Sequence, residues 1–116
     1  MGDATVLAVV EAFNEAWGAH DLDATLAMMT DDARFESTGP APDGIVSIGH
    51  AAIRAAWQAI FDDTASRFVG EELIAAGPDA AVGRWTYHWA DGHIRGIDLF
   101  RVRDGKVSEK LSYVKG

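Results

Sequence analysis

The C-terminal segment from Trp85 to Val114 contains two Asp-Gly pairs, each flanked by residues that favour β-strands. Asp-Gly between two such runs is among the strongest sequence signals for a β-hairpin. The pairs are Asp91-Gly92 and Asp104-Gly105, and the residues between them are rich in β-branched and aromatic types. The sequence therefore predicts three consecutive antiparallel strands in this part of the chain.

Strand register decides which side chains share a face of these strands. If Asp91-Gly92 is a two-residue turn, Ala90 pairs with His93 and Asp98 lies opposite Trp85. One face then carries Asp98 among aromatic and apolar side chains: Trp85, Tyr87, Trp89, Ile94, Phe100 and Val102. The other face is largely basic, so we expect the aromatic face to be buried.

Asp98 is the residue on this face that needs an explanation. A bare carboxylate among aromatic side chains is costly, so it must be paired, hydrogen-bonded or protonated. A three-residue second turn with a glycine bulge pairs Val102 with Lys106 and places Lys110 opposite Asp98 as an ion-pair partner. A two-residue turn instead points Lys110 outward and brings Leu111 to the inner face, which leaves Asp98 free to act as a proton donor or general base. The residues alone leave both alternatives open.

Helices precede and interrupt the strands. Apolar residues repeat at helical spacing in three segments, 6–17, 22–29 and 53–61. We expect further strands at 33–38 and 67–76, and a loop at 39–44 that forms a lid or rim over a cavity. The predicted order is ααβαββββ. This is an α+β fold in which three helices pack on the concave face of a strongly curved, mostly antiparallel sheet and leave a conical barrel with a pocket.

Length and charge narrow the class of protein. The 116 residues predict a single domain spanning 1–116, and the formal net charge is −8. An acidic chain is a poor nucleic-acid binder, and no apolar run is long enough to span a membrane, so we expect neither partner. The chain has no cysteine and MGDATV does not resemble a secretory signal, so we expect a cytoplasmic protein.

The aromatic residues and Asp98 together predict a ligand pocket. We expect eight aromatic side chains to converge on the cavity: Phe13, Trp17, Phe35, Trp57, Phe61, Trp85, Tyr87 and Trp89. Such a pocket suits a small, flat, apolar cyclic or aromatic ligand. The hydroxyl of Tyr87 is a candidate second donor beside Asp98.

The residues give little support for metal or cofactor chemistry. His88 and His93 are expected on the outer face as diagonal neighbours across the first hairpin, without a third ligand. Phosphate-binding loops and dinucleotide fingerprints are missing from the sequence. We therefore expect no metal and no cofactor.

The element order, together with DDARFES at 31–37 and GIDLFRVRDGKV at 96–107, resembles the nuclear transport factor 2-like superfamily. Within it the chain is most similar to the SnoaL-like polyketide cyclases and the ketosteroid isomerases. The resemblance covers nearly the whole chain. It is more specific for the fold than for any activity, because this fold carries many functions.

The resemblance implies roles for individual residues. Asp98 matches the protonated oxyanion-hole donor of ketosteroid isomerases. Ser37 occupies the position of the isomerase general base, Phe13 that of its catalytic Tyr and Trp57 that of another pocket Tyr, so steroid isomerisation by that mechanism is not expected. Relative to the cyclases and limonene epoxide hydrolases, Lys110 replaces a His and Ser112 an essential Asp of the last strand.

Three functions follow from this reading. The first is a cofactor-independent isomerase, cyclase or dehydratase-type enzyme that uses Asp98 as acid or base. The second is a non-catalytic carrier or sensor of the same kind of ligand, and the third is a dimerisation domain. A homodimer is expected through the outer sheet face around Ile97 and Leu99, with Val107, Leu111 and Tyr113 added if the second turn bulges.

Overall fold

The computed structural model describes residues 3–115, which contain three helices: α1 (Asp3–Gly18), α2 (Leu22–Ala27) and α3 (His50–Asp62). Helix α2 begins where the carboxylate of Asp21 accepts a hydrogen bond from the backbone N–H of Ala24 at 3.0 Å. This contact satisfies a backbone donor that the first turn of a helix leaves unpaired. Helix α3 presents Ile53, Trp57 and Phe61 to the core at the predicted spacing.

Six strands form one sheet: β1 (Met29–Glu36), β2 (Val46–Ile48), β3 (Arg67–Ala75), β4 (Ala80–Trp89), β5 (Gly92–Arg103) and β6 (Lys106–Val114). Their order across the sheet is β2-β1-β6-β5-β4-β3, and only the β1–β6 pair is parallel. The predicted α+β fold with a mostly antiparallel sheet is confirmed. The short edge strand β2 is additional to the predicted elements.

The core lies between the helices and one face of this sheet. Helix α1 packs across β3 to β6, while α3 packs on β1 and β2. Phe13, Trp57 and Phe100 are fully enclosed there. Phe13 contacts both other rings edge to face, with ring centroids 6.1 Å from Trp57 and 5.7 Å from Phe100. The aromatic face of β4 and β5 therefore points inward, as the sequence predicts.

The register of the first hairpin differs from the prediction by one residue in each strand. The loop consists of Ala90 and Asp91, so that Trp89 pairs with Gly92 and Asp98 lies opposite Gly83 rather than Trp85. A shift of this size keeps every side chain on its predicted face. What changes is the order of neighbours along the inner face.

The second hairpin combines features of both predicted turns. Asp104 and Gly105 form a two-residue loop with positive φ at both positions, the conformation of a type I′ turn. A bulge then inserts Ser108, because Val102 pairs with Val107 but Arg101 pairs with Glu109. The inference that a two-residue turn points Lys110 outward was therefore wrong.

Beyond this bulge the side chains of β6 exchange faces. Asp98 pairs with Ser112, and Lys110 points inward between Phe35 of β1 and Phe100 of β5. Leu111 takes the outer face. One extra residue thus selects which side chains of the last strand enter the core.

None of the helices within residues 3–115 is long and apolar enough to cross a membrane.

Candidate functional site

Two cavities lie between the helices and the concave face of the sheet. The larger cavity, about 530 Å³, opens between α1 and strands β3 to β5, and Asp98 lies in its wall. The smaller cavity, about 410 Å³, lies between α3 and the segment that joins β1 to β2. Four side chains line both: Trp17, Phe68, Trp85 and Lys110. These shared residues form the partition between the two cavities.

A buried polar cluster made of Asp98, Ser112 and Lys110 joins the two cavities. The Ser112 hydroxyl donates to Asp98 Oδ1 at 2.6 Å, and Lys110 Nζ donates to Ser112 Oγ at 3.1 Å. Lys110 Nζ also lies 3.4 Å from Asp98 Oδ2, and both side chains are less than a tenth exposed. The ion pair that the sequence left as one of two alternatives is therefore present, reached diagonally through the Ser108 bulge.

Aromatic rings enclose the ammonium group of Lys110. Its Nζ lies 4.6 Å from the ring centroid of Trp17, 5.2 Å from that of Phe35 and 5.8 Å from that of Trp57. Positions over aromatic faces at these distances stabilise a cation that has left bulk water. The cluster thus places a balanced pair of charges in an otherwise apolar wall.

The predicted pocket residues divide into two groups. Six of them line one or both cavities: Trp17, Phe35, Ser37, Trp85, Lys110 and Ser112. The two predicted catalytic residues also line a cavity, Asp98 the larger one and Tyr87 the smaller one. Phe13 and Trp57 instead fill the core, and Phe61 borders only a small crevice of about 30 Å³. Trp89 was also placed wrongly: it lies 39% exposed at the hairpin end, where its ring covers Gly92.

The structure does not bring Tyr87 beside Asp98. Tyr87 pairs with Ile94, whereas Asp98 pairs with Gly83, four residues further along β4. At about 3.3 Å per strand residue the two positions are roughly 13 Å apart. Tyr87 packs on Phe68, with ring centroids 4.4 Å apart, and lines the smaller cavity. Because of the register shift in the first hairpin, Asp98 and Tyr87 do not form the expected pair of hydrogen-bond donors.

Ser37 has a structural role at the rim of the smaller cavity. Its hydroxyl donates to the carbonyl of Gly39 at 2.7 Å and accepts from the backbone N–H of Ile45 at 2.9 Å. These bonds tie the ends of the loop that precedes β2. The loop borders the smaller cavity, in agreement with the predicted rim.

Two features of the larger cavity escaped the sequence analysis. Phe68 of β3 lines both cavities, but a single aromatic residue in an edge strand gave no signal for this role. The outer part of the larger cavity is acidic: Glu11 and Glu15 line it, while Glu71 and Glu72, which also border it, are paired with Arg95 at 3.6 Å and with Arg84 at 3.1 Å. Glu11 and Glu15 belong to α1, whereas Glu71 and Glu72 belong to β3. These two elements are distant in sequence, and the packing of α1 on β3 brings them together.

Glu71 of this acidic mouth is held in its charged form. The Thr86 hydroxyl donates to its carboxylate, and this bond, with the nearby positive charges of Arg95 and Arg84, keeps the pKa of Glu71 below its ordinary value. Since the arginines balance the charges of Glu71 and Glu72, the net negative charge of the mouth comes from Glu11 and Glu15, and this charge disfavours anionic ligands.

The histidines form no metal centre within the described part of the chain. His88 and His93 pair directly across the first hairpin, with ring centroids 5.7 Å apart, rather than diagonally. Within residues 3–115 no three His, Asp or Glu side chains are arranged to hold a metal ion.

With this geometry in place, the comparisons with known proteins identify the family. The model of the SnoaL-like domain family matches residues 10–110. The chain therefore belongs to the SnoaL-like family, within the nuclear transport factor 2-like superfamily. The resemblance stated from the sequence is confirmed.

Solved structures agree with this assignment. A nuclear transport factor 2-like protein of unknown function from Mesorhizobium loti is 36% identical, with a TM-score of 0.87 over 98% of this chain and 93% of its own. A proposed polyketide cyclase from Xanthomonas campestris pv. campestris is 21% identical, with a TM-score of 0.76 over 97% and 92%. A computationally designed 17-OHP binder is 24% identical, with a TM-score of 0.80 over 99% and 93%. No curated protein matches the sequence significantly.

Proposed function

We propose that this protein binds a small, flat, uncharged cyclic or aromatic molecule in the larger cavity. The observation that carries the proposal is a cavity of about 530 Å³ whose inner wall holds four aromatic side chains, Trp17, Phe68, Trp85 and Phe100, beside a buried polar cluster. Cavities of this size and lining are typical of small-molecule sites. The designed 17-OHP binder gives a precedent for ligand binding in this fold.

A second polar group favours a ligand that carries an oxygen acceptor. Trp85 lines both cavities and is 91% buried, and within the described residues its indole Nε1–H has no hydrogen-bond partner. An unpaired buried donor costs free energy that a ligand carbonyl or hydroxyl oxygen recovers when a turn of the Trp85 ring brings the N–H to the cavity surface. The acidic mouth disfavours carboxylates, so a neutral ketone, aldehyde, ester or phenol fits best.

Binding of β-tetralone, a flat bicyclic ketone, tests this proposal by titration calorimetry. We expect Trp85→Phe, which keeps a ring but removes the N–H, to weaken binding about fivefold, the worth of one net hydrogen bond. Trp89→Phe is the matched control and should bind as the original protein does, because Trp89 lies outside both cavities. No heat of binding in the original protein, or equal losses in both variants, would contradict the proposal.

A second candidate function is cofactor-independent proton transfer on such a ketone, as in an isomerase, cyclase or dehydratase-type enzyme. It is favoured by the position of the Asp98 carboxylate in the wall of the larger cavity. It is opposed by the ion pair with Lys110, which occupies the carboxylate in the free protein. Deuterium incorporation next to the carbonyl of β-tetralone in heavy water separates the two functions. Exchange that Asp98→Asn abolishes indicates an enzyme, and binding without exchange indicates a carrier.

We further infer that two copies of the chain associate through the outer face of the sheet, whether or not the protein is an enzyme. Ile97 and Tyr113 pair directly on this face and are 41% and 55% exposed. Ion pairs flank them, Arg84 with Glu72 at 3.1 Å and Arg101 with Glu109 at 3.1 Å. An apolar centre with a rim of both charges suits a self-complementary interface. Val107, which was also expected there, is buried inside instead.

Light scattering tests the dimer. We expect Ile97→Glu to convert a dimer to a monomer, because a carboxylate in the apolar centre is desolvated without a partner. Ile48→Glu is the matched control, since Ile48 is 59% exposed but lies on the short strand at the far edge of the sheet. A monomeric original protein, or dissociation by both variants, would refute the interface.

A further inference from the structure

We propose that Lys110 captures aromatic and cyclic carbonyl compounds covalently, as an imine formed between its Nζ and the carbonyl carbon. The proposal rests on the proposed function of the larger cavity and names its ligand class more closely. Lysine amines are established nucleophiles toward carbonyl groups when they lie in apolar pockets. Four features of the structure support this role.

The first feature is position. Lys110 is 6% exposed, yet it lines both the larger and the smaller cavity. A molecule in either cavity therefore lies against this side chain, although bulk water hardly reaches it. A carbonyl compound held in a cavity already lies next to the amine. The effective concentration of the amine is therefore higher than in a bimolecular reaction in solution.

The second feature is a route for the proton that the amine must lose. Lys110 Nζ donates to Ser112 Oγ, and Ser112 in turn donates to Asp98 Oδ1. A proton passed along this chain leaves a neutral amine and a neutral carboxylic acid. The transfer removes both charges together, so it leaves no unpaired charge among the aromatic rings.

The third feature is that the same groups complete the reaction. The amine nitrogen forms a C–N bond to the carbonyl carbon as the C=O π bond breaks, and one proton passes from the nitrogen to the oxygen to give a neutral carbinolamine. Asp98 then supplies its proton to the hydroxyl, the C–O bond breaks, and one water leaves. The products are the protonated imine and the Asp98 carboxylate, so atoms and charges balance without a cofactor.

The fourth feature is selectivity. The walls of the larger cavity near Lys110 are aromatic, with Trp17, Phe68 and Trp85 in the partition. The mouth carries Glu11 and Glu15 beside two glutamate–arginine pairs, so its net charge is negative. The site therefore favours neutral aromatic or cyclic aldehydes and ketones over carbonyl compounds that carry a carboxylate.

The chain provides its own controls for a trapping experiment. It contains three lysines, and Lys106 and Lys115 are exposed while Lys110 is buried. The folded protein is incubated with benzaldehyde and cyanoborohydride, which reduces any imine to a stable secondary amine, and the adducts are located by peptide mass spectrometry. A merely structural Lys110 would react less than the exposed lysines.

We expect Lys110 to carry about tenfold more benzyl adduct than either exposed lysine, through the effective concentration that the cavity provides. With 4-formylbenzoate at low salt we expect labelling of Lys110 to fall about threefold relative to benzaldehyde, because the acidic mouth repels the carboxylate. Lys110→Arg, which keeps the charge, should lose the preferred adduct and keep the two weak ones.

Adducts on Lys106 and Lys115 without preference for Lys110 would overturn the proposal. If β-tetralone still binds in calorimetry in that case, the covalent step alone fails and the pocket function stands. If neither binding nor labelling at Lys110 is seen, both proposals fail.

Discussion

Lys110→Met is expected to lower the free energy of unfolding by about 3–5 kcal/mol, the usual cost of breaking a buried ion pair from one side. The substitution keeps the length and apolar stem of the side chain but leaves the Asp98 carboxylate enclosed, with the Ser112 hydroxyl as its one partner among residues 3–115. Denaturant unfolding followed by tryptophan fluorescence measures the change.

Two further variants make this expectation specific. Asp98→Asn in the Lys110→Met background removes the stranded charge, so the double variant should regain most of the lost stability. Arg101→Met breaks the exposed pair between Arg101 and Glu109 and should cost at most about 1 kcal/mol. A similar small loss for Lys110→Met, or no recovery in the double variant, would show that the buried pair is not coupled as its geometry indicates.

Gly96→Ala is expected to destabilise the protein by about 1–3 kcal/mol, as overpacking in a filled core does. Gly96 pairs with Trp85 across the β4–β5 ladder. A Cβ there would overlap Trp85 Cζ2 and would lie 2.5 Å from the backbone oxygen of Tyr113. The backbone contact cannot be relieved by rotating a side chain, so both the strand and the Trp85 ring must shift. Because Trp85 lines the larger cavity, ligand affinity should fall as well.

Gly70 provides the matched control for this substitution. It pairs with the same residue, Trp85, from the opposite strand β3, and a Cβ added to it meets no atom within 4 Å. Gly70→Ala should therefore change stability by no more than about 0.5 kcal/mol. Calorimetric melting of the two variants side by side checks the prediction, which equal effects of the two alanines would contradict.

The sequence predicted the elements of the fold better than their exact pairing. The two Asp-Gly signals correctly located both hairpins, and the aromatic face of β4 and β5 is buried as expected. The first loop is Ala90-Asp91 rather than Asp91-Gly92 because Gly92 joins the strand and pairs with Trp89. The shift preserves the alternation of side chains, so Asp98 still lies on the predicted inner face. Tyr87, however, is no longer its neighbour.

The bulge at Ser108 had no local signal that sequence reasoning can use. Its hydroxyl donates to the carbonyl of Arg101 at 3.2 Å, which stabilises the extra residue once the strands have paired. Hydrophobic alternation would place Leu111 inside and Lys110 outside, and the structure has the reverse. A strand that departs from the hydrophobic alternation of its own sequence is expected at a functional site, because such sites give up some stability for chemistry.

The distinction between core and cavity was also beyond the sequence. Helical spacing placed Trp17 and Trp57 on inward-facing stripes, yet Trp17 borders both cavities while Trp57 is fully enclosed. Periodicity gives the direction of a side chain but not the volume left around it. That volume depends on how α1 and α3 sit on the curved sheet, which is set by contacts between distant segments.

The Ser108 bulge means that the chemistry of this pocket depends on how the last strand pairs as well as on residue identity. If Ser108 paired with Arg101 instead of bulging, every later residue of β6 would move by one pairing position. Leu111 would then lie opposite Asp98 on the inner face, and Lys110 would pair with Leu99 on the outer face. One unpaired residue thus decides between a polar wall and an apolar one, so relatives of this protein are best compared by the strand pairing at this position as well as by their pocket residues.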